Sequence, residues 1–144
     1  MKVAIVGASQ NAYRFAEILK ARDVEIACVW DYRHSKADAF CRQFGGEAID
    51  DIERIADFGL DGVMICTKRA DHVRYALPFI AGGVPTYIDG PSASERIQEA
   101  VREHGTPVMF APVSDTDGQD VYDVKAAVDA FLRICDTGEP MVSP

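Results

Sequence analysis

The feature that most constrains the fold is a regular alternation of short apolar runs with segments of helical periodicity. Apolar runs bounded by turn residues predict strands at 2–7, 24–31, 47–50, 61–67, 84–89 and 107–111. Helix-period segments lie between or after them, at 11–21, 35–44, 51–56, 70–81 and 92–104. This alternation predicts an α/β fold with a Rossmann-type, doubly wound, mainly parallel six-stranded sheet. The strands are almost continuously hydrophobic, which favours burial on both faces.

Residues at the ends of the segments support the predicted helices. Ser35 is suited to cap one helix N-terminus, and Gly45 and Gly46 can close the same helix. Ser92 with Glu95 has the spacing of a capping box, which predicts that the fifth helix begins there.

The chain length of 144 residues suits one hydrophobic core. We expect residues 1–112 to form a dinucleotide-binding domain, and 113–144 to supply a linker, a helix and a tail that pack on it or on a partner. The polar, turn-rich segment 113–119 is the predicted linker. In the helix predicted at 119–136, one apolar stripe shares a face: Val121, Val124, Val128, Phe131 and Cys135. Leu132 and Ile134 widen this apolar surface.

Composition argues against several classes of function. The net charge of −8 opposes binding to nucleic acid or to anionic membranes. No apolar stretch reaches membrane-spanning length, and the N-terminal sequence lacks the pattern of a signal peptide, so we expect a soluble, cytoplasmic protein. The four cysteines and three histidines are scattered, which predicts buried thiols and no metal site.

The turn after the first strand is the main candidate binding motif. Gly7 and Ala12 fit the first and last small positions of the dinucleotide fingerprint, whereas Ser9 stands where the second glycine is expected. Backbone amides at the start of the following helix, around Gln10 and Asn11, can hold an anion, and the Ser9 hydroxyl can contribute. The motif predicts a pyrophosphate site.

Asp31 ends the second strand, 19 residues beyond Ala12, near the spacing at which an acidic residue bonds the adenine ribose of NAD. Arg33 and Lys36 follow closely and can instead hold the 2′-phosphate of NADP. We therefore predict NAD as the cofactor, with NADP as the alternative. A further hypothesis is a plain α/β domain that binds no nucleotide.

Several segments together resemble the Gfo/Idh/MocA family of glucose-fructose oxidoreductases and inositol dehydrogenases. They read Ala-Cys-Val-Trp-Asp at 27–31, Lys-Ala-Asp-Ala-Phe at 36–40, Gln-Phe-Gly at 43–45, Asp-Gly-Val-Met-Ile-Cys-Thr at 61–67 with His72, and Gly-Gly-Val-Pro at 82–85. The resemblance spans nearly the whole chain and implies an NAD(P)-binding domain of an oxidoreductase.

Two departures from that family affect the expected function. The family carries Glu-Lys-Pro after strand five, with a lysine near the nicotinamide, whereas this chain has Asp89, Gly90 and Pro91. The family's second, substrate-binding domain has no counterpart, because the linker leads almost directly to a helix and tail that resemble the family's C-terminal ones. We expect nucleotide binding without independent dehydrogenase activity; the alternative is an oxidoreductase subunit completed by a partner chain or by homo-oligomerisation.

A crevice at the carboxyl ends of the strands is expected to gather polar side chains: Lys68, Arg69, His72, Tyr87 and Asp89. Thr67, Lys68, His72 and Asp89 are predicted to contact the cofactor. Lys68, His72 and Asp89 are also the candidates for acid–base chemistry, although Lys68 or His72 can equally pair with phosphate or face solvent. A bare apolar surface on the final helix predicts a homodimer, or docking on a larger partner.

Overall fold

Six parallel strands form one sheet, which confirms the predicted fold class. They are β1 (Lys2–Val6), β2 (Glu25–Trp30), β3 (Glu47–Ala48), β4 (Gly62–Ile65), β5 (Thr86–Ile88) and β6 (Val108–Phe110) in the computed structural model, which describes residues 1–90, 94–111 and 123–138. Their order across the sheet is β3-β2-β1-β4-β5-β6. Each strand pair is parallel, so every connection crosses one face of the sheet.

The strand β1 lies at the centre of this sheet, between β2 and β4. Its residues Val3 to Val6 have no exposed surface. This burial accounts for the unbroken hydrophobic run in the sequence, because a central parallel strand has helices over both of its faces.

The described residues contain five α-helices and two short 3-10 segments, and all of them except the last helix lie between strands. The helices are α1 (Gln10–Ala21), α2 (His34–Phe44), α3 (His72–Ala81), α4 (Glu95–His104) and α5 (Val124–Thr137). The 3-10 segments are Ile52–Phe58 and Arg69–Asp71, so the helix predicted at 51–56 is a 3-10 helix, and a 3-10 turn precedes α3.

Two of the predicted helix caps are corrected by the structure. Ser35 does not cap α2, because the helix begins one residue earlier at His34, which leaves Ser35 inside the first turn. The helix predicted from 92 begins at Glu95, and its cap is Ser94, whose hydroxyl accepts from the Ile97 amide. Ser92 lies outside the described residues. The predicted end of α2 is confirmed, since Gly45 is its C-cap.

The helices divide into two layers, one on each face of the sheet. The layer of α1, α2 and α5 encloses one hydrophobic cluster, which contains Phe15, Phe40 and Phe131. The layer of α3, α4 and the segment Ile52–Phe58 encloses the other, around Ile65 and Ile80. The result is a three-layer α/β/α arrangement in which the carboxyl ends of all strands meet at one edge.

The apolar stripe of the final helix is covered within the chain, so the exposed surface predicted for it is wrong. Val128, Phe131 and Ile134 are at most 1% exposed, and Val124, Leu132 and Cys135 pack against the same cluster. The helix approaches β4 so closely that a Cβ on Gly62 would lie 2.8 Å from the Phe131 ring. Val121 and the predicted linker lie outside the described residues.

An ion pair ties α5 to α1 at the edge of this contact. Arg22 donates through Nε and Nη2 to the two carboxylate oxygens of Asp129, at 2.9 and 3.1 Å. The hydrogen bond from Arg22 holds the pKa of Asp129 below its usual value. The pair therefore favours the docked helix only while Asp129 is ionised.

No helix in the described part of the chain is both long and apolar enough to span a membrane.

We predict that Asp129→Asn lowers the melting temperature at neutral pH and has little effect in strong acid. A carboxyl whose pKa is lower in the folded state stabilises the fold above its unfolded pKa, and this contribution disappears as the pH falls through the folded pKa. Thermal melts from pH 7 down to pH 2 measure it. Glu99→Gln, on the exposed face of α4, is the control and should give no such trend; a pH-independent Asp129→Asn effect would contradict the assignment.

Candidate functional site

A cavity of about 550 Å³ opens at the carboxyl ends of β1, β2 and β4, where the connections leave the sheet in opposite directions. Ligands of doubly wound sheets bind at this switch point. The cavity is lined by Gly7, Ala8, Ser9, Trp30, Asp31, Tyr32, Arg33, Lys36, Cys66, Thr67, Lys68, Asp71, Arg74 and Tyr75. Seven of the residues predicted from sequence to bind NAD or NADP are among them: Gly7, Ser9, Asp31, Arg33, Lys36, Thr67 and Lys68.

The first turn of the cavity depends on Gly7. Its φ of +97° lies in the region that favours glycine, and a Cβ there would lie 2.7 Å from the Thr67 amide nitrogen. The Gly7 amide also donates to the carbonyl of Trp30 at 2.7 Å. The turn therefore fits between the ends of β2 and β4, and no other residue type suits it without displacement of the backbone.

The residues after Gly7 build the start of α1 as predicted, although their roles differ. Ser9 is the N-cap, and its hydroxyl accepts from the Ala12 amide at 3.2 Å. Ala12 has no exposed surface, which agrees with a close helix packing position. Gln10 does not line the main cavity; it lies with Ser9 in an adjoining hollow of about 370 Å³.

Asp31 links the first turn to the loop after β2. One carboxylate oxygen accepts from the Ala8 amide and the other from the Arg33 amide, both at 2.8 Å. A carboxylate has about four acceptor positions, so each oxygen can accept one further hydrogen bond. The carboxylate is thus held in place and still able to bind hydroxyl groups in the cavity.

Unpaired cations surround the same cavity. Arg33, Lys36 and Lys68 line it, and none of them forms an ion pair with the residues that the structure describes. In a chain with a net charge of −8 this concentration of unpaired positive charge is local. It favours an anionic ligand in the cavity.

One wall of the cavity is aromatic and was not predicted from the sequence. The rings of Trp30 and Tyr75 lie with centroids 5.0 Å apart, and the Arg74 guanidinium lies over the Tyr75 ring at 4.6 Å. Tyr32 is 86% exposed beside them. Flat apolar and cationic surfaces of this kind suit the stacking of a planar ring. The spacing of these residues along the chain gives no signal for the wall, because the sheet order alone brings β2 and α3 together.

Thr67 has a polar atom that no group in the described part of the chain satisfies. Its hydroxyl oxygen is buried and has no hydrogen-bond partner among the described residues, although the residue lines the cavity. A buried hydroxyl without a partner is costly, so such an atom beside a cavity marks a position where a ligand can supply the missing bond.

His72 and Asp89, both predicted to contact a cofactor, lie next to the cavity and outside its lining. His72 is 5% exposed and its Nε2 lies 2.7 Å from the Thr67 carbonyl oxygen. Asp89 accepts from the Asn11 side-chain amide at 3.0 Å, so Asn11 connects α1 to the end of β5. Of the residues predicted to gather in the crevice, Lys68 lines the cavity, whereas His72 and Asp89 lie beside it.

Two other members of that predicted group are corrected. Tyr87 does not face the crevice: it is fully buried in the core, where its ring contacts Phe15 and Phe131 at centroid distances of 5.3 and 5.8 Å. In the alternation along β5 its side chain falls on the face covered by α1 and α5. Arg69 is exposed and outside the cavity lining.

Cys66 is unsuited to act as a nucleophile although it borders the cavity. Complete burial raises the pKa of its thiol well above the usual value, and the charge of Asp89 adds to the effect. The thiol therefore stays protonated and unreactive at neutral pH. Burial likewise raises the pKa of Cys28 to about 12 and that of Cys135 to about 12.

A family model described as an oxidoreductase family with an NAD-binding Rossmann fold, GFO_IDH_MocA, matches residues 1–111. The chain belongs to this Gfo/Idh/MocA family. The match confirms the resemblance inferred from the sequence, and with it an NAD-binding domain as the family's cofactor site. No curated protein matches the chain.

Solved structures of the family share the fold. The 3-ketoreductase KijD10 from Actinomadura kijaniata, solved with NADP, is 21% identical with a TM-score of 0.69, over 77% of this chain and 38% of its own. The biliverdin reductase from Synechocystis, solved with biliverdin and NADP+, is 23% identical with a TM-score of 0.69, over 76% and 37%. GenD2 from gentamicin A biosynthesis, solved with NAD, is 25% identical with a TM-score of 0.68, over 76% and 34%. This chain thus spans little more than a third of these Gfo/Idh/MocA structures.

We predict that Gly7→Ala lowers the free energy of unfolding by about 1–3 kcal/mol, because it adds both left-handed strain and contact with Thr67. Urea denaturation measures this. Gly83→Ala is the matched control, since Gly83 has a φ of +78° with open space around its Cβ position, and it should lose only the conformational part. Equal losses in the two variants would argue against the close contact at Gly7.

Proposed function

We propose that this chain is an NAD(H)-binding module of the Gfo/Idh/MocA family that has no dehydrogenase turnover on its own. The observation that carries the binding proposal is the cavity at the switch point, which Gly7 lines and where the buried Thr67 hydroxyl has no partner among the described residues. Both features fit a dinucleotide. Residues 1–112 would form the binding domain, and 113–144 a linker, helix and tail docked on it.

Named residues account for each part of the bound dinucleotide. The pyrophosphate would lie over Gly7–Ala12, with the amides at the start of α1 and the free cation Lys68 close to it. The adenine ribose would bond Asp31, and the adenine would stack on the wall of Trp30, Tyr75 and Arg74. The nicotinamide would point towards Thr67, Asn11 and Asp89. When bound, the nicotinamide ring supplies hydride acceptance or donation.

Asp31 favours NAD over NADP. A carboxylate that accepts two backbone amides is fixed in place, and it would bond the ribose hydroxyls of NAD but repel the 2′-phosphate of NADP. Arg33 and Lys36 act in the opposite direction, so the preference is a balance of these charges.

We infer the absence of dehydrogenase turnover from the residues at the end of β5. Position 90 is glycine, where the family's Glu-Lys-Pro segment has its lysine, and the remaining candidates are engaged: His72 with the Thr67 carbonyl and Asp89 with Asn11. Lys68 lines the cavity, and we assign it to the phosphates of the ligand rather than to proton donation. No described residue takes the place of this lysine as a proton donor or acceptor.

A second candidate is an oxidoreductase subunit whose substrate surface comes from a partner chain or another copy. The observation in its favour is that the chain matches only 34–38% of the length of the family structures described above. A cytoplasmic location, a homodimer and docking on a larger protein stay predictions. The apolar face of α5, from which the sequence predicts a dimer, is buried within the chain.

We expect NAD and NADH to bind in isothermal titration calorimetry, and Asp31→Ala to weaken NAD by about tenfold more than NADP. Hydrogen bonds to a charged group contribute about 1.5–3 kcal/mol, and tenfold corresponds to about 1.4 kcal/mol. Asp57→Ala is the control, because Asp57 is exposed in the segment Ile52–Phe58 and lies outside the cavity lining. If wild type binds neither dinucleotide at millimolar concentration, the proposed function is wrong.

We further expect the purified chain to give no dehydrogenase turnover on polyols, sugars or hydroxy acids with NAD or NADP, measured as absorbance of reduced nicotinamide. Gly7→Val, prepared in parallel, reports any contaminating activity. Turnover near the ordinary value of ~10 per second in wild type alone would overturn the proposal, and Lys68, His72 and Asp89 would then be substituted singly.

A further inference from the structure

The indole of Trp30 contributes a flat surface to the aromatic wall of the cavity, because its polar edge is engaged within the protein. Its Nε1 donates to the backbone carbonyl oxygen of Asp50 at 3.2 Å. An indole has this one donor and no acceptor, so the ring has no further hydrogen bond to offer to a ligand. A planar group in the cavity can therefore meet Trp30 only through stacking.

The second ring of the wall is engaged in a similar way. The Tyr75 hydroxyl accepts from Nη2 of Arg74 at 2.8 Å, and the Arg74 guanidinium lies over the Tyr75 ring, 4.6 Å from its centroid. The Trp30 and Tyr75 rings are in contact, with centroids 5.0 Å apart. The wall is thus a continuous platform of ring faces with a guanidinium at its border.

Adenine differs from other purines by its 6-amino group, and a site that reads this donor needs an acceptor beside the base. The carboxylates among the described residues of the cavity lining are Asp31 and Asp71. Asp31 is held by the Ala8 and Arg33 amides and is the proposed ribose partner. Asp71 accepts from Arg74 at 3.3 Å. Both carboxylates are therefore engaged away from the 6-amino group.

The donors around the cavity do not distinguish one purine from another. Arg33, Lys36 and Lys68 carry donors and no acceptor, and the Tyr75 hydroxyl keeps its proton. Donors of this kind bond to ring nitrogens such as N3 and N7, which adenine, hypoxanthine and guanine share. Any hydrogen bond from these side chains would therefore be available to each of the three bases.

We propose that the site binds the base of its dinucleotide by stacking, without reading the 6-amino group, and that it accepts other purines in place of adenine. The inference rests on the proposed function in so far as the ligand is a nicotinamide dinucleotide. Stacking on an aromatic face does not depend on the donors and acceptors at the edge of the base, since every base has a π-face. Selectivity then lies at the ribose and the phosphates.

Two analogues of NAD test the edge of the base. Nicotinamide hypoxanthine dinucleotide exchanges donor and acceptor at positions 6 and 1 of the purine, and 1,N6-etheno-NAD blocks the same edge with a fused ring. We expect both to bind within about threefold of NAD in calorimetry on the full chain. If NAD binds and the hypoxanthine dinucleotide is more than about tenfold weaker, the inference is overturned while the proposed function stands.

Variants of Trp30 test the stacking itself. We expect Trp30→Leu to weaken NAD and the hypoxanthine dinucleotide by the same factor of about ten, because both lose the ring face, and Trp30→Phe to recover much of the affinity. Phe58→Leu is the matched control, since Phe58 packs against the same hydrophobic cluster but lies outside the cavity lining. Thermal melts establish that each variant is folded. Unchanged affinities in a folded Trp30→Leu variant would overturn the inference.

Asp71→Ala tests whether this carboxylate reads the amino group. The ratio of the affinities for NAD and the hypoxanthine dinucleotide should stay at its wild-type value, and a loss confined to NAD would overturn the inference.

The emission of Trp30 gives a direct readout, because the chain has a single tryptophan. NAD and the hypoxanthine dinucleotide should quench it to the same extent at saturation. Binding of NAD in calorimetry without a change in this emission would contradict stacking on Trp30. If none of the three dinucleotides binds at millimolar concentration, the proposed function is wrong and this inference with it.

Discussion

The structure depends on the contact between the end of β1 and the end of β4, where Gly7 meets Thr67. The two strands pair in the middle of the sheet, and the chain leaves each of them towards a different layer of helices. Because a Cβ on Gly7 would overlap the Thr67 amide, the cavity exists in this form only with glycine at its first turn. The carboxylate of Asp31, the cap of Ser9 and the ring of His72 all hold groups that adjoin this contact.

Charge and polarity in the cavity follow from the same arrangement. The chain as a whole is acidic, yet Arg33, Lys36 and Lys68, which form no ion pair in the described part of the chain, lie around the switch point. The Thr67 hydroxyl, which is buried without a partner among the described residues, and an aromatic wall complete a surface that suits a ligand with phosphates, hydroxyl groups and a planar ring. Asn11 and Asp89, which we expect near the nicotinamide, are joined by a hydrogen bond, which fits binding better than proton transfer.

At position 90 the backbone lies against the imidazole of His72, so glycine there is consistent with the packing of this chain. The acid–base candidates chosen from the sequence, Asp89 and His72, are engaged with neighbours: Asp89 accepts from Asn11, and His72 lies at hydrogen-bond distance from the Thr67 carbonyl.

The sequence by itself determined the strands, their parallel arrangement, the first turn and the place of Asp31 at the end of the second strand, because these depend on local periodicity and on short motifs whose spacing is set by the chain. Helix starts were less certain, and Ser35 and Ser92 were assigned wrong capping roles, since several hydroxyl residues near a start compete for one cap. Tyr87 was placed in the crevice, although the alternation along β5 turns it into the core. Only the tertiary structure decided the burial of α5, the aromatic wall and the fit of His72 against Gly90, because each joins residues that are distant in the chain and meet only once the sheet order is set.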